Sequence, residues 1–322
     1  MRFSSFGAIG GDTPLVGLPR LFAGTGIDVQ AKLEFMNPTG SVKDRPARHI
    51  LLSWLASGRL HPGMRLVEST SGNFGVALAM YCGLYDIRCT LVVDPLVSKM
   101  NHALMQHYGA DVVQVNEVDD QGGYLHTRLA MVHKIVRHDP EALWVNQYAN
   151  DLNWESHYYG TGAEILRDVG GPIDYLVVGL STAGTITGTA RRLREEHPDM
   201  RVVAVDAAGS MIFGGPPAPR RIPGIGASRR PEILDESLID EVIYVTDEEA
   251  IDGCHQLLSS EGIMAGGSSG SAIHAIWRLI PRLSSGTRVV TLFPDRGERY
   301  LGVIYGDRPN GKGDIRRARG VD

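Results

Sequence analysis

The sequence predicts an α/β protein built on parallel sheets that are covered on both faces. Three observations point there. Short β-branched runs such as YLVVGL (175–180) and VVAVD (202–206) are apolar throughout rather than alternating, the pattern of strands buried on both sides. Helix-like stretches of about 10–15 residues separate these runs. Glycine supplies 39 of the 322 residues while aromatics supply only 7%, which suits tight turns and close approaches of backbone to a ligand.

Taken in order, a strand over 29–35 ends in the turn Asn37-Pro-Thr-Gly40. The helix after it carries Leu51, Leu52 and Leu55. Ser41 and Asp44 resemble a capping box at its start, and Pro46 is tolerated only in its first turn. A strand at 64–68 (MRLVE) leads through a Gly/Ser turn to a helix over 76–84, then a strand at 89–94 (CTLVVD), a helix around 99–108 and a strand at 111–115. Helices near 124–136 and 154–167 precede the strand 175–180, the helix 185–196 and the strand 202–206. A helical stretch follows the turn at 266–271, and RVVTLF (288–293) is a last buried strand. The segment 214–223 (GGPPAPRRIP) is a Pro/Gly-rich loop, and 308–322 reads as a polar tail.

Composition excludes several classes. The formal charge of −5 speaks against a nucleic-acid footprint. Cys82, Cys89 and Cys254 are an odd, widely spaced set without a CxxC pair, so neither a disulfide framework nor a zinc site is supported. The eleven histidines show no ligand spacing, and His49, His102 and His107 read as surface or half-buried groups. No apolar run nears the roughly 18 residues of a membrane span, and the first ten residues lack a basic region followed by an apolar one. The expectation is a soluble cytoplasmic protein without metal.

Three glycine-rich turns follow strands, where open α/β sheets bind ligands. Glu68-Ser-Thr-Ser-Gly-Asn-Phe-Gly75 opens a helix and offers backbone N–H groups and hydroxyls to a carboxylate. Ser181, Thr182, Ala183, Gly184 and Thr185 lie between a strand and a helix and suit a phosphate held by main-chain donors; neither GxxxxGK[ST] nor GxGxxG is present. Gly266-Gly-Ser-Ser-Gly-Ser271 precedes another helix. Each turn alone reads first as a helix cap. Lys43 stands at a helix N-terminus, where the dipole disfavours its ammonium form and lowers its pKa. Beside a glycine turn, it is a candidate Schiff-base former. Lys32 reads as a solvated surface charge.

PTGSVKDR, STSGNFG, STAGT and GGSSG, in this order and at these separations, resemble the fold-type-II enzymes that use pyridoxal phosphate, the cysteine synthase and cystathionine β-synthase group. The resemblance covers roughly residues 11–300. It implies two doubly wound parallel-sheet lobes with the active site between them: 44–148 as a smaller, mobile N-terminal lobe, and 1–43 plus 149–322 as a larger cofactor-binding lobe. By this resemblance Lys43 forms the Schiff base to pyridoxal 5'-phosphate and Asn73 hydrogen-bonds the ring hydroxyl. Ser181, Thr182, Ala183, Gly184 and Thr185 cradle the phosphate, and Ser268 faces the pyridine nitrogen. A neutral hydroxyl there does not hold the nitrogen protonated, so loss of a β-leaving group is the natural outcome. Phe74 departs from the Thr usual after the Asn in plain cysteine synthases. Ala183 stands where relatives often carry Gly or Thr, a methyl that should matter little.

Within the group, further stretches such as NQYANDLNWESHYYGTGAEI, PGIGASRRPEIL and PDRGERYL resemble a branch that joins O-phospho-L-serine to the amine of L-glutamate through an aminoacrylate, releasing phosphate. The substrate carboxylate then falls to Thr70, Ser71, Gly72, Asn73 and Gln147, and the leaving phosphate to Arg128 with Tyr148 and Ser181. An exposed helix charge is the alternative for Arg128. Arg229 and Arg230 are candidates for reading a glutamate carboxylate, with surface salt bridges the simpler role. Rival readings are cysteine synthase using O-acetylserine and sulfide, a dehydratase, and a regulatory protein with a degenerate cofactor pocket. Relatives are homodimers, which the resemblance extends to this chain.

Overall fold

The computed structural model describes residues 5–119 and 123–306; the tail expected at 308–322 lies outside them. In chain order the elements are β1 (Leu15–Gly17), β2 (Asp28–Lys32), α1 (Asp44–Ala56), β3 (Arg65–Ser69), α2 (Asn73–Leu84), β4 (Arg88–Val93), α3 (Lys99–His107), β5 (Asp111–Gln114), α4 (Leu125–His138) and β6 (Ala142–Trp144). They continue as α5 (Asp151–Ser156), α6 (Ala163–Asp168), β7 (Tyr175–Gly179), α7 (Gly184–Arg194), β8 (Arg201–Ala207), β9 (Glu241–Val245), α8 (Asp247–Glu261), α9 (Gly267–Leu279) and β10 (Arg288–Leu292).

Two sheets result, a six-stranded one in the order β1-β2-β10-β7-β8-β9 and a four-stranded one in the order β5-β4-β3-β6. Every pairing is parallel except β1 with β2. The uniformly apolar strands are buried as their composition requires: Val202 through Ala207 of β8 are all covered. In α2 the whole run Phe74–Cys82 is buried, so this helix has no solvent face. It packs with Ile50, Leu51 and Leu66 into the core beside the four-stranded sheet. Ile273 and Ile276 of α9 join Val177, Val203 and Val289 in the core of the larger sheet. Full burial of such side chains contributes about 1.5–3 kcal/mol each.

Several expectations need correction. The strand expected at 29–35 ends at Lys32, because the chain turns into a 3-10 segment, Glu34–Met36, that aims Glu34 at Arg45. No capping box forms at α1: the Asp44 carboxylate turns back to accept from Thr39 N at 3.1 Å and Thr39 Oγ1 at 2.6 Å. Burial pushes that carboxyl up to about 6. Pro46 does fall in the first turn. The single helix expected at 154–167 is α5, a π-helical stretch His157–Gly162, and α6. β1, β6, β9 and α8 were not foreseen.

Lys32 is the largest reversal, 0% exposed instead of solvated. Its Nζ lies 2.9 Å from Glu164 Oε2 and 3.3 Å from Asp168 Oδ2, and donates to the carbonyl of Thr13. Arg45 grips Glu34 through Nε (2.5 Å) and Nη2 (2.7 Å), and Glu164 through Nη1 and Nη2 (both 2.7 Å). Burial opposes ionisation of Glu164, yet Arg45 and Lys32 hold its carboxyl well below the usual range. Among the described residues no helix is long and apolar enough to cross a membrane. None of their His, Cys, Asp and Glu side chains gather in a group able to hold a metal ion.

Candidate active site

The carboxyl ends of β3 and β7 and the loop after β10 open on one cavity of about 430 Å³. Strand ends at such a crevice present the first N–H groups of the following helices, which have no partner within their helix. Into this cavity the structure brings Lys43, Thr70, Ser71, Gly72, Asn73, Arg128, Gln147, Tyr148, Ser181, Thr182, Ala183, Thr185 and Ser268. Gly184 sits behind the turn, and a Cβ there would come 2.1 Å from Asn153 Oδ1, so only glycine lets α5 and α7 approach.

Lys43 precedes α1, and its Nζ donates to Thr182 Oγ1 at 3.2 Å. Burial lowers its pKa from 10.5 to about 8, against the charge of Asp295, which raises it. The shift has the expected direction, and its cause is desolvation where the sequence pointed to the helix dipole. Asn73 begins α2 and is held at both ends of its amide. Nδ2 donates to Asp295 Oδ2 at 2.6 Å, and Oδ1 accepts from Arg299 Nη1 at 2.8 Å. Asp295 is fully enclosed and its carboxyl is raised by burial, while Tyr300 OH and Asn73 oppose the rise.

Ala183 has φ 67° and ψ −14°, the left-handed region, at the N-cap of α7. Its methyl is therefore strained, contrary to the expectation that it matters little. Thr185 Oγ1 lies 3.3 Å from His157 Nε2, and His157 Nδ1 is 2.9 Å from Thr161 Oγ1. Burial keeps this histidine well below its ordinary pKa, with Arg45 and Lys43 adding to the effect.

Glu68 accepts from Ser69 N at 2.8 Å and Gln147 N at 3.2 Å, and burial raises it to about 7. Asn153 Nδ2 donates to the Gln147 carbonyl (2.7 Å) and stands 3.4 Å from Thr182 Oγ1. Glu68, Asn153, His157, Asp295 and Arg299 were not singled out from sequence. Asp295 and Arg299 reach Asn73 across long chain separations, 222 and 226 residues, that local spacing does not reveal.

Arg128 lines the cavity from α4, its Nε 3.3 Å from Asp94 Oδ2, and is not an exposed helix charge. Burial raises the pKa of Tyr148, and the charges of Arg128 and Arg229 oppose the rise. Arg230 is 59% exposed and paired with Glu236 at 2.6 Å, the surface bridge expected of it. His49 and His102 are half-buried and His107 exposed.

This constellation suits a cofactor that carries both an aldehyde and a phosphate. Lys43 offers a partly neutral amine, the 181–185 turn a donor-rich helix start, and Asn73 and Ser268 polar contacts for a ring. A model of the pyridoxal-phosphate dependent enzyme family matches residues 8–295, and the chain belongs to that family. Its fold is the fold-type-II form and its cofactor is pyridoxal 5'-phosphate. More particularly, the chain is similar to two proteins named N-(2-amino-2-carboxyethyl)-L-glutamate synthase. The one from Ralstonia nicotianae is 53% identical over 297 residues, covering 92% of this chain and 88% of the relative. The one from Cupriavidus metallidurans is 53% identical over 300 residues with the same coverage. The solved structure of an O-ureido-L-serine synthase superposes with a TM-score of 0.88 at 32% identity, covering 97% of this chain and 98% of that one.

Proposed function

We propose that the enzyme replaces the phosphate of O-phospho-L-serine with the amino group of L-glutamate, giving N-(2-amino-2-carboxyethyl)-L-glutamate and inorganic phosphate. The observation that carries this reading is the pairing in one cavity of Lys43, an amine with a lowered pKa, and Arg128, a guanidinium next to Tyr148. The names of the two relatives support it.

Pyridoxal phosphate, when bound, supplies the electron sink for charge at the substrate α-carbon. Lys43 holds the cofactor and, once released, removes the α-proton and later returns it. Thr70, Ser71, Gly72, Asn73 and Gln147 bind the substrate carboxylate with N–H and hydroxyl donors at the start of α2. Arg128, Tyr148 and Ser181 stabilise the charge on the departing phosphate. The C–O bond to phosphate breaks, the glutamate nitrogen bonds to the β-carbon, and that nitrogen gives up a proton. Ser181, Thr182, Ala183, Gly184 and Thr185 hold the cofactor phosphate, and Ser268 meets the ring nitrogen with a neutral hydroxyl. In this reading the segment 44–148 is the smaller, mobile lobe, and 1–43 with 149–322 the larger. The enzyme is a cytoplasmic homodimer, and its product leads to 2,3-diaminopropionate for a siderophore or peptide antibiotic.

Incubating the holoenzyme with O-phospho-L-serine and a panel of amines and thiols, with products identified by mass, tests this directly. Preference for O-acetylserine and sulfide would return the reading to cysteine synthase. Arg128→Ala should lower efficiency with O-phospho-L-serine roughly ten- to a hundredfold, the scale of one charge-assisted contact. It should affect O-acetylserine far less, and an equal loss for both donors would make Arg128 structural.

A further inference from the structure

We infer that Arg229 selects the amine substrate by binding its distal carboxylate, a role that rests on the proposed use of an amino dicarboxylate as nucleophile. The cavity is lined by four arginines, Arg128, Arg221, Arg229 and Arg299, and three of them are committed elsewhere. Arg128 is paired with Asp94 and assigned to phosphate. Arg221 is 60% exposed at the mouth, where it holds Asp247 and Glu248. Arg299 ties Asn73, Asn101 and the Thr39 carbonyl together behind the carboxylate-binding turn.

Arg229 shares with Arg128 a buried Nε that has no hydrogen-bond partner, and is set apart by its place over an aromatic ring. Its guanidinium carbon lies over the Tyr148 ring, 4.4 Å from the centroid, a cation–π contact that helps to hold the group in place. Nη1 meets Glu232 at 3.1 Å, a partner that is itself 53% exposed; pairs of that kind contribute little. Nε is buried and has no hydrogen-bond acceptor. A buried donor left unmet is costly unless a ligand supplies the acceptor. The edge of a guanidinium formed by Nε and Nη2 matches both oxygens of a carboxylate. Arg45 shows this match within the same chain, gripping Glu34 through Nε and Nη2. Arg229, Tyr148 and Arg128 line the same cavity, and the charges of both arginines are felt at Tyr148, so a carboxylate on Arg229 shares the cavity that the phosphate leaves. Neighbouring Arg230, paired with Glu236 on the surface, has no such setting.

The test compares wild-type holoenzyme with Arg229→Gln, varying L-glutamate and O-phospho-L-serine in turn. The KM for L-glutamate should rise roughly ten- to a hundredfold, the loss expected for one charge-assisted contact. The KM for O-phospho-L-serine should move less than about threefold if the residue binds only the second substrate. Arg229→Lys, which keeps the charge and loses the fork, should fall between, and it makes the same comparison if the Gln variant does not fold. Equal shifts in both KM values, or an unmoved KM for L-glutamate, would overturn the assignment. Wild-type enzyme that forms no L-glutamate adduct would overturn the proposed function itself, a result seen before any variant is made.

Discussion

At neutral pH an ordinary lysine amine is neutral in roughly one part in three thousand. Lowered to about 8, Lys43 is neutral in roughly one-tenth, and only the neutral form attacks an aldehyde. Capture of pyridoxal phosphate by the cofactor-free protein should therefore accelerate as pH rises through about 8 and level off above it. Stopped-flow absorbance at a series of pH values reads this, and an inflection near 10.5 would contradict the burial that lowers the group. Lys43 was legible because its surroundings are local: a glycine turn before it and a helix after it. Lys32 was not. Its ammonium is met by Thr13, Glu164 and Asp168, partners up to 136 residues away, and sequence spacing carries no trace of them.

Elements were legible where a run was long and uniform in character. β8 and β10 show continuous β-branched stretches, whereas β1 and β6 have three residues each, too few to stand out from loop. The π-helical stretch 157–162 was invisible because six residues are too few to show a change of helical period. At the start of α7, Ala183 holds a left-handed conformation that costs an L-residue roughly 1–2 kcal/mol. Ala183→Gly relieves that strain but loses a buried methyl and backbone entropy, so stability should stay within about 1 kcal/mol of wild type. Ala183→Val places a branched Cβ where φ is positive and should cost about 2–3 kcal/mol. Urea midpoints of the two variants test the pair, and equal tolerance of both would contradict it.

Across the whole molecule, Arg45 links α1 to Glu34 beyond β2 and to Glu164 on α6. Arg45→Met would leave Glu34 buried without a cation and Glu164 with Lys32 alone, a loss of about 3–5 kcal/mol in unfolding free energy. Replacing Arg45 and Glu34 together with apolar residues, with Glu164 left on Lys32, should cost much less, which chemical denaturation can show. The short β1 and β6 have a consequence for association. Both lie at ends of their sheets, as do β5, whose terminal Asp111 and Gln114 are exposed, and β9, which carries Glu241 and Tyr244. A rim of three- to five-residue strands, two of which carry polar residues, gives a foreign strand little to add onto. Among the described residues both sheets thus disfavour strand-on-strand growth at their ends, which leaves helices and loops as the surfaces through which copies of this chain can meet.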